Sequence, residues 1–232
     1  MRYNLISVVI PAFNEEENIG VVLKDLHEAL RKIGIPYEVI VINDGSVDRT
    51  AEIAKENNVL VIDNGENLGK GAALKAGFLK ARGKYIITMD ADGSHRPEDI
   101  PKLLNPLLNG DDIDAVTGSR FSDKEGKDST SILHLIGNNI INALILFLTG
   151  RYITDSQSGF RIYKRDALRK LTINSSRYEI ESELTIKMLK KGLIIREVPI
   201  NCVKRKHGSS KISSFRDGFK ILKVILKTNF SS

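Results

Sequence analysis

Residues 6–32 read ISVVIPAFNEEENIGVVLKDLHEALRK, and this stretch decides the fold class. A short β-branched run covers 6–10, and an amphipathic run with helical spacing covers 19–32. The same alternation continues through the first 120 residues, with strand-like runs at 38–42, 59–62, 85–89 and 115–116 and helix-like runs at 49–56, 71–80 and 99–108. It predicts βαβ units, and therefore an α/β fold with a mostly parallel sheet flanked by helices.

Length and composition limit the class of protein. The chain has 232 residues, of which 41% are hydrophobic and 28% are charged, as in an average globular protein. No internal repeat or linker divides it, so we expect a single domain over residues 1–232. The one cysteine, Cys202, excludes an internal disulfide and a thiolate metal site, and it favours a reducing cytosolic compartment.

The pattern changes after residue 121. A polar stretch at 122–131 predicts a surface loop, an apolar helix ends near Gly150, and turn-forming residues occupy 155–160. A helix over 181–191, a strand over 193–199 and a basic loop over 204–211 follow. The last run, 215–227, has apolar residues on one face and basic residues on the adjacent face, which predicts a C-terminal amphipathic helix.

Charge is distributed unevenly along the chain. The formal net charge is +6, and residues 187–232 contain twelve Lys or Arg against Glu197 and Asp217. A basic tail on an acidic body predicts that the tail faces an anionic surface. The longest apolar stretch, 140–148, contains Asn142 and is much shorter than the roughly 20 residues that span a bilayer. We expect no membrane crossing, and a tail that either lies on a membrane or packs on the body.

Polar clusters follow the predicted strands at their carboxyl ends, where ligands bind in such folds. Asp90-Ala91-Asp92 places two carboxylates just after a hydrophobic strand, and a single divalent cation would neutralise both of them. Asp44 follows the second strand, where its carboxylate is placed to accept hydrogen bonds from a ligand. The sequence therefore predicts a ligand site at this edge of the sheet.

Residues 65–71, GENLGKG, resemble a phosphate-binding loop without its defining spacing. A Walker loop has four residues between its glycines and a hydroxyl residue after the lysine, and neither is present around Lys70. Either a backbone cradle near a nucleotide or an ordinary helix entry fits this stretch. No Gly-x-Gly-x-x-Gly follows the first strand, so nicotinamide binding has no support.

Six stretches carry a family resemblance, in this order: SVVIPAFNE at 7–15, NDGS at 43–46, DADG at 90–93, GSR at 118–120, DSQSGF at 155–160 and the basic loop at 205–211. Together they resemble the motif set of inverting family 2 glycosyltransferases, in particular the dolichyl-phosphate sugar synthases. The resemblance implies a Rossmann-like GT-A fold, a UDP- or GDP-linked sugar donor, and Mg²⁺ or Mn²⁺. It also implies a nucleotide-sugar-binding half at 1–120 and an acceptor- and membrane-facing half at 121–232.

The resemblance implies roles for individual residues as well. It places the following residues at the donor: Pro11, Phe13, Glu15, Ile42, Asp44, Lys70, Asp90, Ala91, Asp92, Arg205 and Lys211. It places Asp90, Asp92 and Ser94 at the metal, and Arg120 and Arg205 at the acceptor phosphate. It implies catalytic roles for Asp92, Arg120 and Asp155, where Asp155 acts as a base or orients an arginine or the sugar.

We therefore predict transfer of a hexose (glucose, mannose or N-acetylglucosamine) to dolichyl or polyprenyl phosphate with inversion, in protein glycosylation. Ser94 and Asn43 depart from the mannose-synthase pattern, and residues 67–71 and 92–93 resemble the glucose-synthase branch more closely, which disfavours GDP-mannose. The predicted location is the cytoplasmic face of a membrane, with a membrane-anchoring subunit as a candidate partner. One alternative is a soluble family 2 enzyme with a saccharide acceptor. A nucleic-acid-binding protein is disfavoured, because basic residues are not interleaved with stacking aromatics and Trp is absent.

Overall fold

The computed structural model describes residues 4–110, 112–121 and 132–203, and in the helix that begins at Ile132 it describes side chains from Leu135 onward. The loops predicted at 122–131 and 204–211 and the amphipathic helix predicted at 215–227 lie outside these ranges, and so do Arg205 and Lys211. None of the helices in the described ranges has the length and apolar composition of a bilayer-spanning segment.

Seven strands form one sheet: β1 (Ile6–Ala12), β2 (Tyr37–Asn43), β3 (Leu60–Asp63), β4 (Tyr85–Thr88), β5 (Ala115–Ser119), β6 (Arg161–Lys164) and β7 (Ile195–Pro199). Their order across the sheet is β3-β2-β1-β4-β6-β5-β7. β1 is parallel to β2 and β4, β2 is parallel to β3, and β5 is parallel to β7. Among these seven strands only β6 runs antiparallel to its neighbours, which are β4 and β5. The predicted mostly parallel α/β sheet is confirmed.

The helices of the described residues are α1 (Ile19–Ile33), α2 (Thr50–Lys55), α3 (Lys70–Lys80), α4 (Ile100–Leu108), α5 (Ile132–Thr149), α6 (Arg165–Arg169) and α7 (Ile180–Lys190). β1 and β5 extend past their predicted ends to Ala12 and Ser119, and β7 begins at Ile195 rather than at 193. Sequence analysis missed β6 and α6. Both are very short, with four residues in β6 and five in α6, so neither repeats its pattern often enough to be recognised.

The central strands are covered by helices on both faces. Val8 and Ile10 belong to the cluster that contains Leu23 of α1 and Leu103 of α4. Val9, between them in sequence, belongs to the opposite cluster, which contains residues of α3 and α7. Because successive strand side chains point to opposite faces, a strand buried on both faces has a continuous hydrophobic run. This is why residues 6–10 show no polar alternation.

Helix α3 lies so close to β1 that Gly77 has no room for a side chain. A Cβ on Gly77 would lie 2.2 Å from Cγ1 of Val9, which is fully buried and stiff because it is β-branched. Gly77→Ala is therefore expected to lower the free energy of unfolding by about 1–3 kcal/mol, measured by chemical denaturation.

Gly137→Ala in α5 is the matched control for this prediction. A Cβ on Gly137 would meet no atom of the described residues within 4 Å, so this variant should match the parent or exceed its stability by up to about 1 kcal/mol. Equal unfolding free energies for the two variants would show that α3 does not pack this closely on β1.

Candidate functional site

The loops that follow β1 and β2 are tied together at the carboxyl edge of the sheet. The Glu15 N–H donates to Thr50 Oγ1 at 2.7 Å, and Asn18 Nδ2 donates to Glu15 Oε2 at 2.8 Å. These bonds hold the Glu15 carboxylate in a buried position. Pro11 and Phe13 lie half-buried beside it at the end of β1. Three residues predicted at the donor therefore lie at one strand end, as expected.

Asp44 is buried at the end of β2, and its carboxylate binds the protein's own loop. Its Oδ1 accepts from Asn64 Nδ2 (2.9 Å) and from the Leu68 N–H (3.1 Å), and its Oδ2 accepts from the Gly69 N–H (2.8 Å). Asp44 thus orders the loop that leads into α3. Ile42, also predicted at the donor, is fully buried in the core, so its side chain contributes packing.

The start of α3 packs against the segment before α7. The Ala72 N–H donates to the Ser176 carbonyl at 3.0 Å, and a Cβ on Gly71 would lie 2.8 Å from the Ser175 carbonyl oxygen. This favours the helix-entry interpretation of residues 65–71 over an open backbone cradle for phosphate. The group that reaches the site from this stretch is the side chain of Lys70.

Lys70 lies between two carboxylates from distant parts of the chain. Its Nζ is 2.6 Å from Asp90 Oδ1 and 2.7 Å from Glu181 Oε1. Only 15% of the Lys70 side chain and 6% of the Glu181 side chain are exposed, whereas Asp90 keeps 28%. Burial disfavours the charged lysine, but the two carboxylates raise its pKa well above the ordinary value, so the ammonium is charged at neutral pH.

The turn at 155–160 closes over this ion pair. A Cβ on Gly159 would lie 2.8 Å from Lys70 Nζ and 2.9 Å from Asp90 Oδ2. Thr88 Oγ1, at the end of β4, donates to the Gly159 carbonyl at 2.8 Å and fixes the turn at this distance. A larger residue at 159 would displace either the turn or the ion pair.

Asp92 and His95 line the tight turn that follows β4. Asp92 Oδ1 accepts from both the N–H (3.0 Å) and the hydroxyl (2.6 Å) of Ser94. The His95 ring stacks on Phe160 with the ring centroids 5.1 Å apart, and its Nδ1 accepts from the Asp90 N–H at 3.3 Å. Burial lowers the pKa of His95, which keeps the imidazole neutral and able to accept that bond.

Arg120, just past β5, is paired with a fully buried carboxylate. Asp155 Oδ2 accepts from Nε (2.7 Å) and from the backbone N–H (3.1 Å) of Arg120, and Oδ1 accepts from Nη2 (2.8 Å). Burial disfavours the charged guanidinium, but Asp155 raises the pKa of Arg120 above its ordinary value. Two parallel bonds to one carboxylate fix the plane of the guanidinium. Because both of its oxygens are engaged, Asp155 is suited to orienting Arg120.

Two other elements, β7 and α5, hold Asp155 and the neighbouring Thr154 in place. Glu197 of β7 accepts from the Asp155 N–H (2.9 Å) and from the N–H (2.8 Å) and hydroxyl (2.9 Å) of Thr154. Asn138 and Asn142 of α5 both donate to the Thr154 carbonyl, at 3.0 and 2.8 Å. The strand that bears Glu197 and the helix after residue 131 thus position the arginine at residue 120.

The structure brings most of the predicted charged residues to one place. The charges of Lys70, Asp90, Asp92 and Arg120 all act on the pKa of His95, so the four lie near this ring. Ala91 is buried in the core between the two aspartates. Arg205 and Lys211 belong to the part of the chain that the structure leaves undescribed.

Sequence analysis missed Glu181 and Glu197. Glu181 entered the sequence analysis only as the first residue of the helix predicted over 181–191. A signal was present, because Glu181 shares a face with the buried residues Leu184 and Met188 three and seven positions later. Glu197 gave no such signal, since a glutamate in a half-buried strand is ordinary.

The seven-stranded, mostly parallel sheet with helices on both faces fits the GT-A fold that the sequence motifs predict. The chain belongs to glycosyl transferase family 2, whose model matches residues 7–172. The family predicted from the motifs is therefore confirmed, and with it the prediction of a glycosyltransferase.

Two relatives match almost all of the chain. A UDP-N-acetylglucosamine–dolichyl-phosphate N-acetylglucosaminyltransferase of Methanococcus voltae is 33% identical, and the match covers 97% of this chain and 96% of that protein. A polyprenol monophosphomannose synthase of Mycolicibacterium smegmatis is 32% identical, with 89% of this chain and 80% of that protein covered. These two matches, at 33% and 32% identity, confirm the resemblance to the dolichyl-phosphate sugar synthases.

A solved structure with a similar fold is glucosyl-3-phosphoglycerate synthase from Mycobacterium tuberculosis, in complex with Mn²⁺, UDP and glucosyl-3-phosphoglycerate. The TM-score is 0.77 at 24% identity, and the match covers 98% of this chain and 80% of that chain. At this identity the likeness establishes the fold, and it confirms the predicted GT-A architecture.

Proposed function

We propose that this chain transfers a hexosyl group from a nucleotide-diphosphate sugar to the phosphate of dolichol or another polyprenol, with inversion at the anomeric carbon. The observation that carries the proposal is the meeting of the Lys70–Asp90–Glu181 cluster with the Arg120–Asp155 pair at one edge of the sheet. The names of the two relatives, which include dolichyl phosphate and polyprenol, support the acceptor.

The donor would lie along the ends of β1, β2 and β4. Pro11, Phe13 and Glu15 line the wall for the base and ribose, and Asp44 holds the loop beside them. The diphosphate would face Lys70, whose charge is maintained by its two carboxylate neighbours. The Methanococcus voltae relative is named for UDP-N-acetylglucosamine, and this supports a UDP-linked donor as the first to test.

Mg²⁺ or Mn²⁺ is the proposed cofactor, held by Asp90 and Asp92. Carboxylate oxygens are the ligands these ions prefer, and Mg²⁺ is commonly held by one or two carboxylates plus the phosphates of a substrate. Within the described ranges no three His, Cys, Asp or Glu side chains converge on one point, which fits a site completed by a diphosphate. When bound, the ion stabilises the negative charge that develops on the leaving nucleoside diphosphate.

Asp92→Asn is expected to lower metal-dependent turnover by about 100-fold or more, the scale seen when one electrostatic contact to the transition state is lost. Asparagine keeps the volume and an oxygen that accepts from Ser94, so the melting temperature should change little. Initial rates at saturating Mn²⁺ measure the effect, and Asp166→Asn, at an exposed position in α6, is the control. Turnover equal to that of the parent would remove Asp92 from the metal site.

The acceptor phosphate would be bound by Arg120. A phosphate monoester has a second pKa of about 6 and is already anionic at neutral pH, so it attacks without a general base. One of its oxygens bonds to the anomeric carbon as the bond to the donor diphosphate breaks, and the charge passes to the leaving nucleoside diphosphate beside Lys70. In this scheme Asp155 orients Arg120 rather than accepting a proton.

A lipid acceptor places the reaction at a membrane surface, and we propose the cytoplasmic face. The basic residues of the tail, including Arg205 and Lys211, would face anionic lipids and phosphates, where each basic residue contributes about 1 kcal/mol. A membrane-anchoring subunit remains a candidate partner. The proposed process is protein glycosylation.

A pair of acceptors that differ only in the phosphate tests this proposal. The full chain is incubated with UDP-N-acetylglucosamine, UDP-glucose or GDP-mannose and Mn²⁺, together with a short prenyl phosphate or the corresponding prenyl alcohol. The proposal predicts sugar transfer to the phosphate alone, because Arg120 recognises an anion. Equal transfer to the alcohol, or transfer to neither with every donor, would contradict it.

A further inference from the structure

Arg161 is a buried cation that the site described above does not use. It is the first residue of β6, only 1% exposed, and the bulkiest of the fully buried side chains in the described part of the chain. Its hydrogen-bond acceptors there are backbone carbonyl and hydroxyl oxygens rather than carboxylates. A buried charge is costly, so its presence between two parts of the site points to a specific task.

One side of the guanidinium shapes the turn at 155–160. Nε donates to the Ser158 carbonyl at 2.7 Å, and Nη2 donates to the Ser156 carbonyl at 2.6 Å. The turn therefore curls around this one group. It begins at Asp155, which orients Arg120, and it reaches Gly159, which lies against the Lys70–Asp90 pair.

The other side of the guanidinium holds the first turns of α7. Nη1 donates to Thr185 Oγ1 at 2.8 Å and to the Glu181 carbonyl at 3.4 Å. The Thr185 hydroxyl donates to the same carbonyl at 2.8 Å. The backbone of Glu181 is thus fixed by Arg161, while its carboxylate pairs with Lys70.

We propose that Arg161 is a positioning residue for sugar transfer. It sets the distance between the Arg120–Asp155 pair and the Lys70–Asp90–Glu181 cluster by binding the backbone of both segments that carry them. The inference rests on the proposed function, since that function gives the two groups their separate tasks at the acceptor and the donor. Only arginine suits this position, because its planar fork reaches acceptors on opposite sides, whereas lysine presents its donors from a single point.

Arg161→Lys is the test variant, and Arg165→Lys is the matched control. Arg165 is the first residue of α6, directly after β6, and its Nη1 donates to the Arg82 carbonyl, away from the site. Two quantities are compared with the parent: kcat for transfer to a prenyl phosphate, and hydrogen–deuterium exchange of the backbone. The Kd for UDP with Mn²⁺ is measured in parallel.

For Arg161→Lys we expect kcat to fall by about 100-fold, the cost typical of a displacement of about 1 Å in an active site. Backbone exchange in peptides covering 155–160 and 180–184 should accelerate by about tenfold, because the hydrogen bonds from Arg161 to these segments are lost. The Kd for UDP with Mn²⁺ should rise by a smaller factor than kcat falls, because Glu15 and Asp44, at the base and ribose wall, are held by contacts within the loops after β1, β2 and β3. Arg165→Lys should match the parent in all three measurements.

Two results would overturn the proposal. One is unchanged hydrogen–deuterium exchange in the turn at 155–160. The other is a kcat within about threefold of the parent value although exchange in the turn has accelerated, because a purely structural role for Arg161 predicts that result. If Arg161→Lys fails to fold, Thr185→Val removes one acceptor and should show the same pattern at smaller amplitude. A parent that transfers sugar to no acceptor would refute the proposed function instead, and the exchange comparison would still decide whether Arg161 holds the turn.

Discussion

Lys70→Met is expected to lower turnover by about 100-fold or more and to lower the free energy of unfolding by about 3–5 kcal/mol. The lysine is the cation between Asp90 and Glu181, and methionine would leave the two carboxylates facing each other without it. Breaking a buried ion pair from one side costs this much because the remaining charge has no compensation. The loss of turnover follows from the missing charge beside the leaving diphosphate.

Steady-state rates and chemical denaturation measure the two effects. Lys80→Met is the control, since Lys80 is the last residue of the same helix and is exposed. A Lys70→Met variant as stable as the Lys80→Met variant would show that Lys70 does not link the two carboxylates. A stable variant with full turnover would also remove Lys70 from the donor site.

Asp155→Asn should lower turnover by about 100-fold or more, because Arg120 loses the carboxylate that fixes its plane. Asparagine has one neutral acceptor oxygen, and its other terminal group is an N–H₂ donor. At most one of the two side-chain bonds from Arg120 to residue 155 can therefore survive. The side chain is fully buried, and we expect a loss of about 3 kcal/mol in the free energy of unfolding. Initial rates with a prenyl phosphate acceptor measure the catalytic effect.

A double-mutant cycle separates an orienting role for Asp155 from a basic one. If Asp155 acts through Arg120, Arg120→Gln alone already removes most of the rate, and adding Asp155→Asn lowers it little further. If Asp155 were the base, its substitution would lower the rate by the same factor with Arg120 present or absent. Multiplicative effects in the cycle would therefore contradict the orienting role.

The strand–helix alternation in the first 120 residues was sufficient to predict the parallel part of the sheet. In that region β1 to β4 are each followed by a helix, and β1 with β2 and β2 with β3 are neighbours both in the chain and in the sheet. The same rule put Asp90 and Asp92 at a carboxyl edge, and the structure places them there. The position of polar residues that directly follow a strand can therefore be predicted from the sequence.

The second half of the site depends on pairings that no local pattern specifies. β6 inserts antiparallel between β4 and β5, and this insertion brings the turn at 155–160 onto Asp90. Glu181 comes from α7, whose first turn is bound by Arg161 of β6, and Glu197 comes from β7, which pairs with β5. Four residues of strand carry too little periodicity to predict a partner. The partners of Lys70 and Asp155 thus emerged only from the tertiary structure.

The central claim is that this chain transfers a sugar to a lipid-linked phosphate. Intact-mass analysis of one reaction tests it most directly, with the sugar nucleotide, Mn²⁺, a short prenyl phosphate and an equimolar mixture of free saccharides. We expect the prenyl phosphate to gain the mass of one hexosyl or N-acetylhexosaminyl residue as nucleoside diphosphate appears, while the saccharides keep their masses. A saccharide that gains the sugar while the prenyl phosphate stays unchanged would refute the proposed function and establish the saccharide-acceptor alternative.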